Sequence, residues 1–286
     1  MRKLLVATAV ASLFAGSTSA FAQAAAAAPA SPHTFTGNMT LATDYRFRGI
    51  SQTFKLPTVQ GGIDYSHSSG FYLGTWASNV SGNQYPNGAS LEWDFYGGYK
   101  GAISGDLGFD VGLLYYWYPG VKFNNVAPFT GTTKPNNLEV YLGLTYQWLS
   151  VKYSHTLTDF FGTKNETFGG ACQNAITGNP ADCFGATPGG SKGSGYLDFT
   201  ANYPLTEKLT LVGHVGHQSV RHYGKLSYTD WKIGVNYDLN GWTLGAAYVD
   251  TNATKGWYTA VNGVLPTADV KKVGEGTVVL SVSKTF

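Results

Sequence analysis

Apolar and polar side chains alternate with a period of two along most of this chain. In residues 35–48 the odd positions are Phe35, Gly37, Met39, Leu41, Thr43, Tyr45 and Phe47, and the even ones Thr36, Asn38, Thr40, Ala42, Asp44, Arg46 and Arg48. Strand side chains point alternately to opposite faces, so this run predicts a strand with one apolar and one polar, charged face. Its length exceeds the 5–6 residues common in water-soluble sheets and suits a tilted membrane strand of about 9–11. The pattern recurs. Leu91, Trp93, Phe95, Gly97 and Tyr99 alternate with Glu92, Asp94, Tyr96, Gly98 and Lys100. Leu107 to Trp117 sets its apolar positions against Asp110, and Leu138 to Trp148 against Glu139 and Tyr141. Trp231, Ile233, Val235, Tyr237 and Leu239 alternate with Asp230, Lys232, Gly234, Asn236 and Asp238.

Weaker runs predict further strands over 58–66, 70–80, 151–158, 196–203, 208–218, 242–249 and 277–286. The phase of 70–80 is ambiguous, because Phe71 and Leu73 compete with Tyr72 and Trp76 for the apolar face. His155 and Lys284 fall on the apolar phase and count against the pattern; Lys284 lies near a strand end, from which it can snorkel. In the five clearest strands the charges keep to one phase. A cation on a lipid-facing strand position costs about 2–4 kcal/mol at mid-bilayer, whereas a wet interior tolerates it.

The expected fold is therefore all-β: a transmembrane, antiparallel, up-and-down barrel of about 12 strands. The connections support it. Long ones (49–57, 81–90, 119–137, 159–195, 219–227, 250–276) alternate with short ones (67–69, 101–105, 149–150, 204–207, 240–241). Long external loops and short periplasmic turns are expected of a barrel with both termini inside, and a soluble sandwich has no cause to sort its connections so. Aromatic residues crowd near predicted strand ends, among them Tyr115, Trp117, Trp148, Tyr203 and Trp242, as membrane interfaces favour. The last predicted strand ends on Phe286, a pattern like the signal read by outer-membrane insertion machinery.

The amino terminus reads as export followed by a lead-in. Arg2 and Lys3 precede a short apolar stretch and the small-x-small motif Ala20-Phe21-Ala22, giving a signal peptide over 1–22, with cleavage after Ala20 as the alternative. Residues 23–34 form an Ala- and Pro-rich periplasmic lead-in, and 35–286 the barrel. Without Arg2 and Lys3, 17 of the 19 basic residues remain against 17 acidic ones, so no basic face suggests nucleic acid. Charged residues make up 13% of the chain, about half the usual share for a soluble domain, while aromatics reach 15%. No apolar run after the signal reaches the 18 or so residues of a membrane helix.

Residues 41–52, Leu-Ala-Thr-Asp-Tyr-Arg-Phe-Arg-Gly-Ile-Ser-Gln, resemble the TorF-type porin family of Gram-negative bacteria, formerly known only as conserved bacterial proteins of unknown function. Gln-Gly-Gly-Ile-Asp-Tyr at 60–65, residues 70–79, Tyr-Gly-Gly-Tyr at 96–99 and Tyr-Tyr-Trp-Tyr-Pro-Gly at 115–120 extend the resemblance over nearly the whole mature chain. It implies a barrel and a channel, with no substrate and no catalytic residues. The loop over 159–195 looks longer than the family norm.

The inward phase gives the expected pore lining: Asp44, Arg46, Arg48, Asp64, Glu92, Asp94, Tyr96, Lys100, Asp110, Glu139, Tyr141, Lys152, Asp198, Lys232 and Asp238. Asp44, Arg46 and Arg48 read either as a charged collar filtering solutes or as an ion-pair network joined by Glu92, Asp94 or Asp238. Inward carboxylates outnumber inward cations, so counting alone predicts a mild preference for cations. Cys172 and Cys183, the two cysteines, share the longest loop; an oxidising periplasm favours a disulfide between them, with two free thiols as the alternative. Their spacing fits neither a redox nor a zinc motif. His214 and His217 point to opposite strand faces and so do not predict a metal site, and the Gly-rich 189–195 lacks phosphate-loop spacing. Nothing calls for a cofactor. The expected partners are outer-membrane lipid, the insertion machinery, and small polar solutes or ions diffusing passively. A closed barrel acting as receptor, adhesin or structural protein is the alternative. A hydrolase would need a nucleophile beside a base, and Ser154 and His155, adjacent on a strand, face opposite ways.

Overall fold

The computed structural model describes residues 31–83, 89–125, 130–169, 189–262 and 268–286. Its twelve long strands are β1 (His33–Ala42), β2 (Thr58–His67), β3 (Phe71–Asn79), β4 (Leu91–Ser104), β5 (Leu107–Trp117) and β6 (Asn137–Tyr146), then β7 (Leu149–Thr156), β8 (Gly195–Pro204), β9 (Leu209–Ser219), β10 (Tyr228–Leu239), β11 (Trp242–Thr251) and β12 (Thr277–Thr285). Each pairs antiparallel with its sequence neighbours, and β12 pairs with β1 to close the barrel. The signal peptide, most of the lead-in, and both Cys172 and Cys183 lie outside the described residues. The first strand starts at His33, two residues inside the segment expected as lead-in.

The registers carry one phase around the whole circumference. Asp64 stands opposite Gly74, Gly74 opposite Tyr96, Tyr96 opposite Leu114 and Leu114 opposite Glu139, and so on through Lys152, Asp198 and Gly216. The same phase places Tyr72 and Trp76 inside and Phe71 and Leu73 outside, which resolves the ambiguous strand. Trp76 is 6% exposed and Leu73 64%. A closed ladder permits no other outcome, since a one-residue slip would turn every side chain of a strand over.

The outer wall is layered. Leu113, Leu142, Val215, Ile233 and Leu280 are exposed around its middle. Exposed aromatics flank them: Tyr99, Trp148, Tyr203 and Trp242 near the end with short turns, and Trp93, Tyr115, Trp231 and Tyr248 near the end with long loops. Such an apolar band between two aromatic girdles has the surface chemistry of a bilayer. No described helix is long and apolar enough to cross a membrane. The exceptions His155 and Lys284 both sit at rims. His155 is the penultimate residue of β7, 3.3 Å from the Tyr153 hydroxyl, and the Lys284 ammonium stacks 4.8 Å over the Trp242 ring at the other end.

Phe286 completes the closure. Its N–H donates to Gly37 O at 2.9 Å, and its carbonyl accepts from Gly37 N at 2.7 Å. The ring lies over Gly37, where a Cβ would come within 2.6 Å of it. Deleting Phe286 removes both bonds and uncovers the seam. We expect slower barrel formation in detergent or lipid and a loss of stability of about 1–3 kcal/mol, read by denaturant titration of the folded band in cold gels. An unchanged midpoint and folding rate would show that the seam does not need it.

Candidate functional site

The first correction to the sequence reading is at the site itself. Residues 35–48 do not form one strand. β1 ends at Ala42, Thr43 still bonds to Leu280 of β12, and the chain then folds into the bore as an inner segment over 44–55. Its core is a two-residue hairpin that pairs Arg46–Phe47 with Ile50–Ser51. Arg48 and Gly49 form its tip with φ of 47° and 79°, the left-handed values that such tight hairpins require. Glycine is needed at 49 for a second reason: a Cβ would lie 2.5 Å from Thr251 Cγ2 and 2.6 Å from Asp230 Cβ. The tip thus presses against the inner wall.

Both flanks of the segment are packed. Tyr45 joins a buried cluster with Trp76, Leu114, Tyr116, Tyr118 and Tyr141, against which Phe47 and Phe161 also pack. On the other side Ile50 and Phe54 pack with Tyr228 and with Ala253, Ala260 and Val273 from the connection between β11 and β12, which cover the segment there. Asp44 fixes its base, accepting from Ser51 Oγ at 2.6 Å, Thr53 Oγ1 at 3.0 Å and Arg46 Nε at 2.6 Å. Arg46 Nη1 donates to the carbonyls of Gly49, Val273 and Glu275 at 2.9–3.1 Å. Arg48 Nη2 reaches Glu139 at 2.7 Å and its Nη1 reaches Gln218 at 2.7 Å, with the guanidinium 4.3 Å over the Tyr196 ring.

Asp44, Arg46 and Arg48 therefore face the lumen as expected, but from a plug rather than from the wall, and as ion pairs rather than as a free collar. The partners differ from those expected. Glu92 accepts from the Tyr45 and Tyr118 hydroxyls at 2.8 and 2.9 Å. Asp94 is fully buried, with neither carboxylate oxygen hydrogen-bonded. Asp238 sits at the opposite end, where it accepts the Gly241 N–H of a turn at 2.8 Å.

Towards the turn end the β2–β6 side of the bore is filled by tyrosines. Tyr72 donates to Asp110 and contacts the Tyr141 hydroxyl, and Tyr96 donates to Asp64 at 2.5 Å. The Tyr141 ring lies flat over Gly112 on the neighbouring strand, in space that a Cβ there would occupy. Lys100 lies 5.3 Å from the Tyr72 ring and Lys152 4.7 Å from the Tyr141 ring. The opposite wall, on β10, β11 and β12, carries Gly234, Gly245, Ala247 and Ser281. Below the plug it leaves a cavity of about 170 Å³ bordered by Arg48, Lys152, Asp198, His214, Asp230 and Lys232.

His214 was read only as a poor metal ligand. In the fold it bridges two carboxylates, Nε2 to Asp230 at 2.8 Å and Nδ1 to Asp198 at 3.3 Å, while His217 points outwards to Thr229. No cluster of three metal-ligating side chains occurs among the described residues. The residues missed by sequence reasoning are Tyr72, Tyr196 and Gln218, ordinary inward positions in periodicity, and the apolar anchors Ile50 and Phe54 of the plug. The available signal for the latter was Arg-Gly at 48–49, a hairpin tip inside an alternating run.

The family model described as "Bacterial protein of unknown function (Gcw_chp)" matches residues 26–286. No curated protein matches the chain. Among solved structures it is similar to the KdgM porin in complex with disordered oligogalacturonate, at 8% identity over 88% of this chain and 99% of that one, with a TM-score of 0.47. It is also similar to the P. putida toluene transporter TodX (11% identity, 90% of this chain and 91% of that one, TM-score 0.43) and to an outer membrane channel from Pseudomonas putida F1 (10% identity, 91% and 100%, TM-score 0.41).

Proposed function

This chain belongs to the Gcw_chp family, bacterial proteins of unknown function, and from that premise we propose that it is an outer-membrane channel for passive diffusion of small polar solutes or ions, narrowed by its own first loop. The observation that carries this reading is the division of the barrel into an apolar, aromatic-rimmed outside and a charged inside that keeps an internal cavity. Twelve strands about 4.8 Å apart and tilted by about 40° close on a backbone radius of about 12 Å, more than side chains alone fill. The long loops face the outside of a Gram-negative cell, and solutes move down their gradients without a covalent step.

The purified protein in a planar bilayer tests the reading. Discrete conductance steps are expected, and a silent membrane with correctly folded protein would reject an open channel. One observation favours the second reading, a closed barrel serving as receptor, adhesin or structural protein: the plug is packed on both flanks, with Tyr45, Thr53 and Phe54 at most 3% exposed. In that case only a plug-released variant would conduct.

A further inference from the structure

Charge counting along the sequence favours cations, because inward carboxylates are the more numerous. Pairing leads to a different expectation. Each carboxylate bordering the cavity is already bonded by the protein: Asp198 by Thr200 and His214, Asp230 by Tyr196 and His214, and Asp44 by Ser51, Thr53 and Arg46. Glu139, behind the plug tip, takes Arg48, Tyr116 and Asn137.

The cations differ. Lys152 on β7 and Lys232 on β10 both border the cavity, and neither ammonium has an ion pair within 4.0 Å or a hydrogen-bond acceptor among the described residues. Lys152 rests on the face of Tyr141, a weak partner for an ammonium with three donors, and feels Glu139, Asp198 and Asp110 through space without a hydrogen bond to any of them. Both are held in place: Lys152 stands in register with Asp198, and Lys232 with His214. The cavity therefore offers open donors and occupied acceptors. Gly234, Gly245 and Ala247, small residues on β10 and β11 beside Lys232, leave room for a solute.

We propose that this cavity is a binding and selectivity site for small anionic solutes, held by Lys152 and Lys232 beneath the Arg48 tip. The proposal rests on the channel reading only for transport; the site itself needs no open pore. The carboxylates of Asp198 and Asp230 already accept from Thr200, Tyr196 and His214, so the N–H donors left open towards the cavity are those of the two ammonium groups. Substituting either lysine removes an open donor and leaves the paired groups intact.

The test uses the full-length processed protein. Under a KCl gradient its reversal potential is expected to favour chloride, and Lys152→Gln with Lys232→Gln to lower the anion-to-cation permeability ratio about threefold or more. Lys152→Arg with Lys232→Arg should keep the wild-type ratio, which separates charge from any folding defect. A cation-selective wild type, or a ratio that the glutamine pair leaves unmoved, overturns the proposal and spares the channel. If no conductance appears, the channel reading fails and inorganic phosphate titrated onto the detergent-solubilised protein decides. Saturable binding abolished by the glutamine pair and retained by the arginine pair supports the site; binding indifferent to both, or none, overturns it.

Discussion

Replacing residues 44–53 by a short Gly-Ser linker is expected to raise single-channel conductance by about threefold or more while leaving the barrel folded. The segment crosses a bore whose wall would otherwise leave room well beyond the tyrosine cluster, and its removal touches none of the outward side chains that meet lipid. Folding can be checked independently through the heat-dependent gel mobility of the barrel. The packed clusters on either flank make the opposite result informative as well. If conductance stays at the wild-type value, ions already bypass the plug along the small-residue wall of β10 to β12, and the plug is a brace rather than a constriction.

Arg48→Ala is expected to cost about 3–5 kcal/mol of barrel stability, because it strands Glu139 as a buried charge. The pair is made at 2.7 Å, with the two side chains 7% and 1% exposed, and Gln218 loses its donor at the same time. Unfolding by denaturant in lipid vesicles measures the loss. Glu139→Gln in the same chain should restore much of it, since a neutral amide beside Tyr116 and Asn137 is far cheaper to bury than an unpaired carboxylate. A loss below about 1 kcal/mol for the single variant would show that water reaches the pair and that it braces nothing. Ion selectivity should change little in the Arg48→Ala, Glu139→Gln double variant compared with the double lysine variant, since the two charges removed match each other. That contrast separates the charges that hold the plug from those that meet the solute.

Much of the site was legible in the sequence because a barrel makes polarity a local signal. Asp64, Glu92, Asp110, Glu139, Lys152, Asp198 and Lys232 stand on the inward phase, and alternation alone assigned each of them. Which of them are matched by partners was not legible. Asp198 and Asp230 meet at His214 from different strands, and Lys152 and Lys232 are left open by the same arrangement. Charge counts cannot see that difference, which is why counting and pairing lead to different expectations of selectivity.

The sequence by itself determined the twelve strands, the inward phase of all but β3, and the alternation of long and short connections, because each follows from a period of two and from turn residues close in the chain. The tertiary structure alone decided that residues 44–55 leave the wall and enter the bore. A residue on an inward-facing strand and one on a plug both sit among polar groups, so their local patterns are the same. What bends the chain at Ala42 lies far along it: Glu139, 91 residues beyond Arg48, and the carbonyl of Val273, 227 residues beyond Arg46, become neighbours only when the barrel has closed.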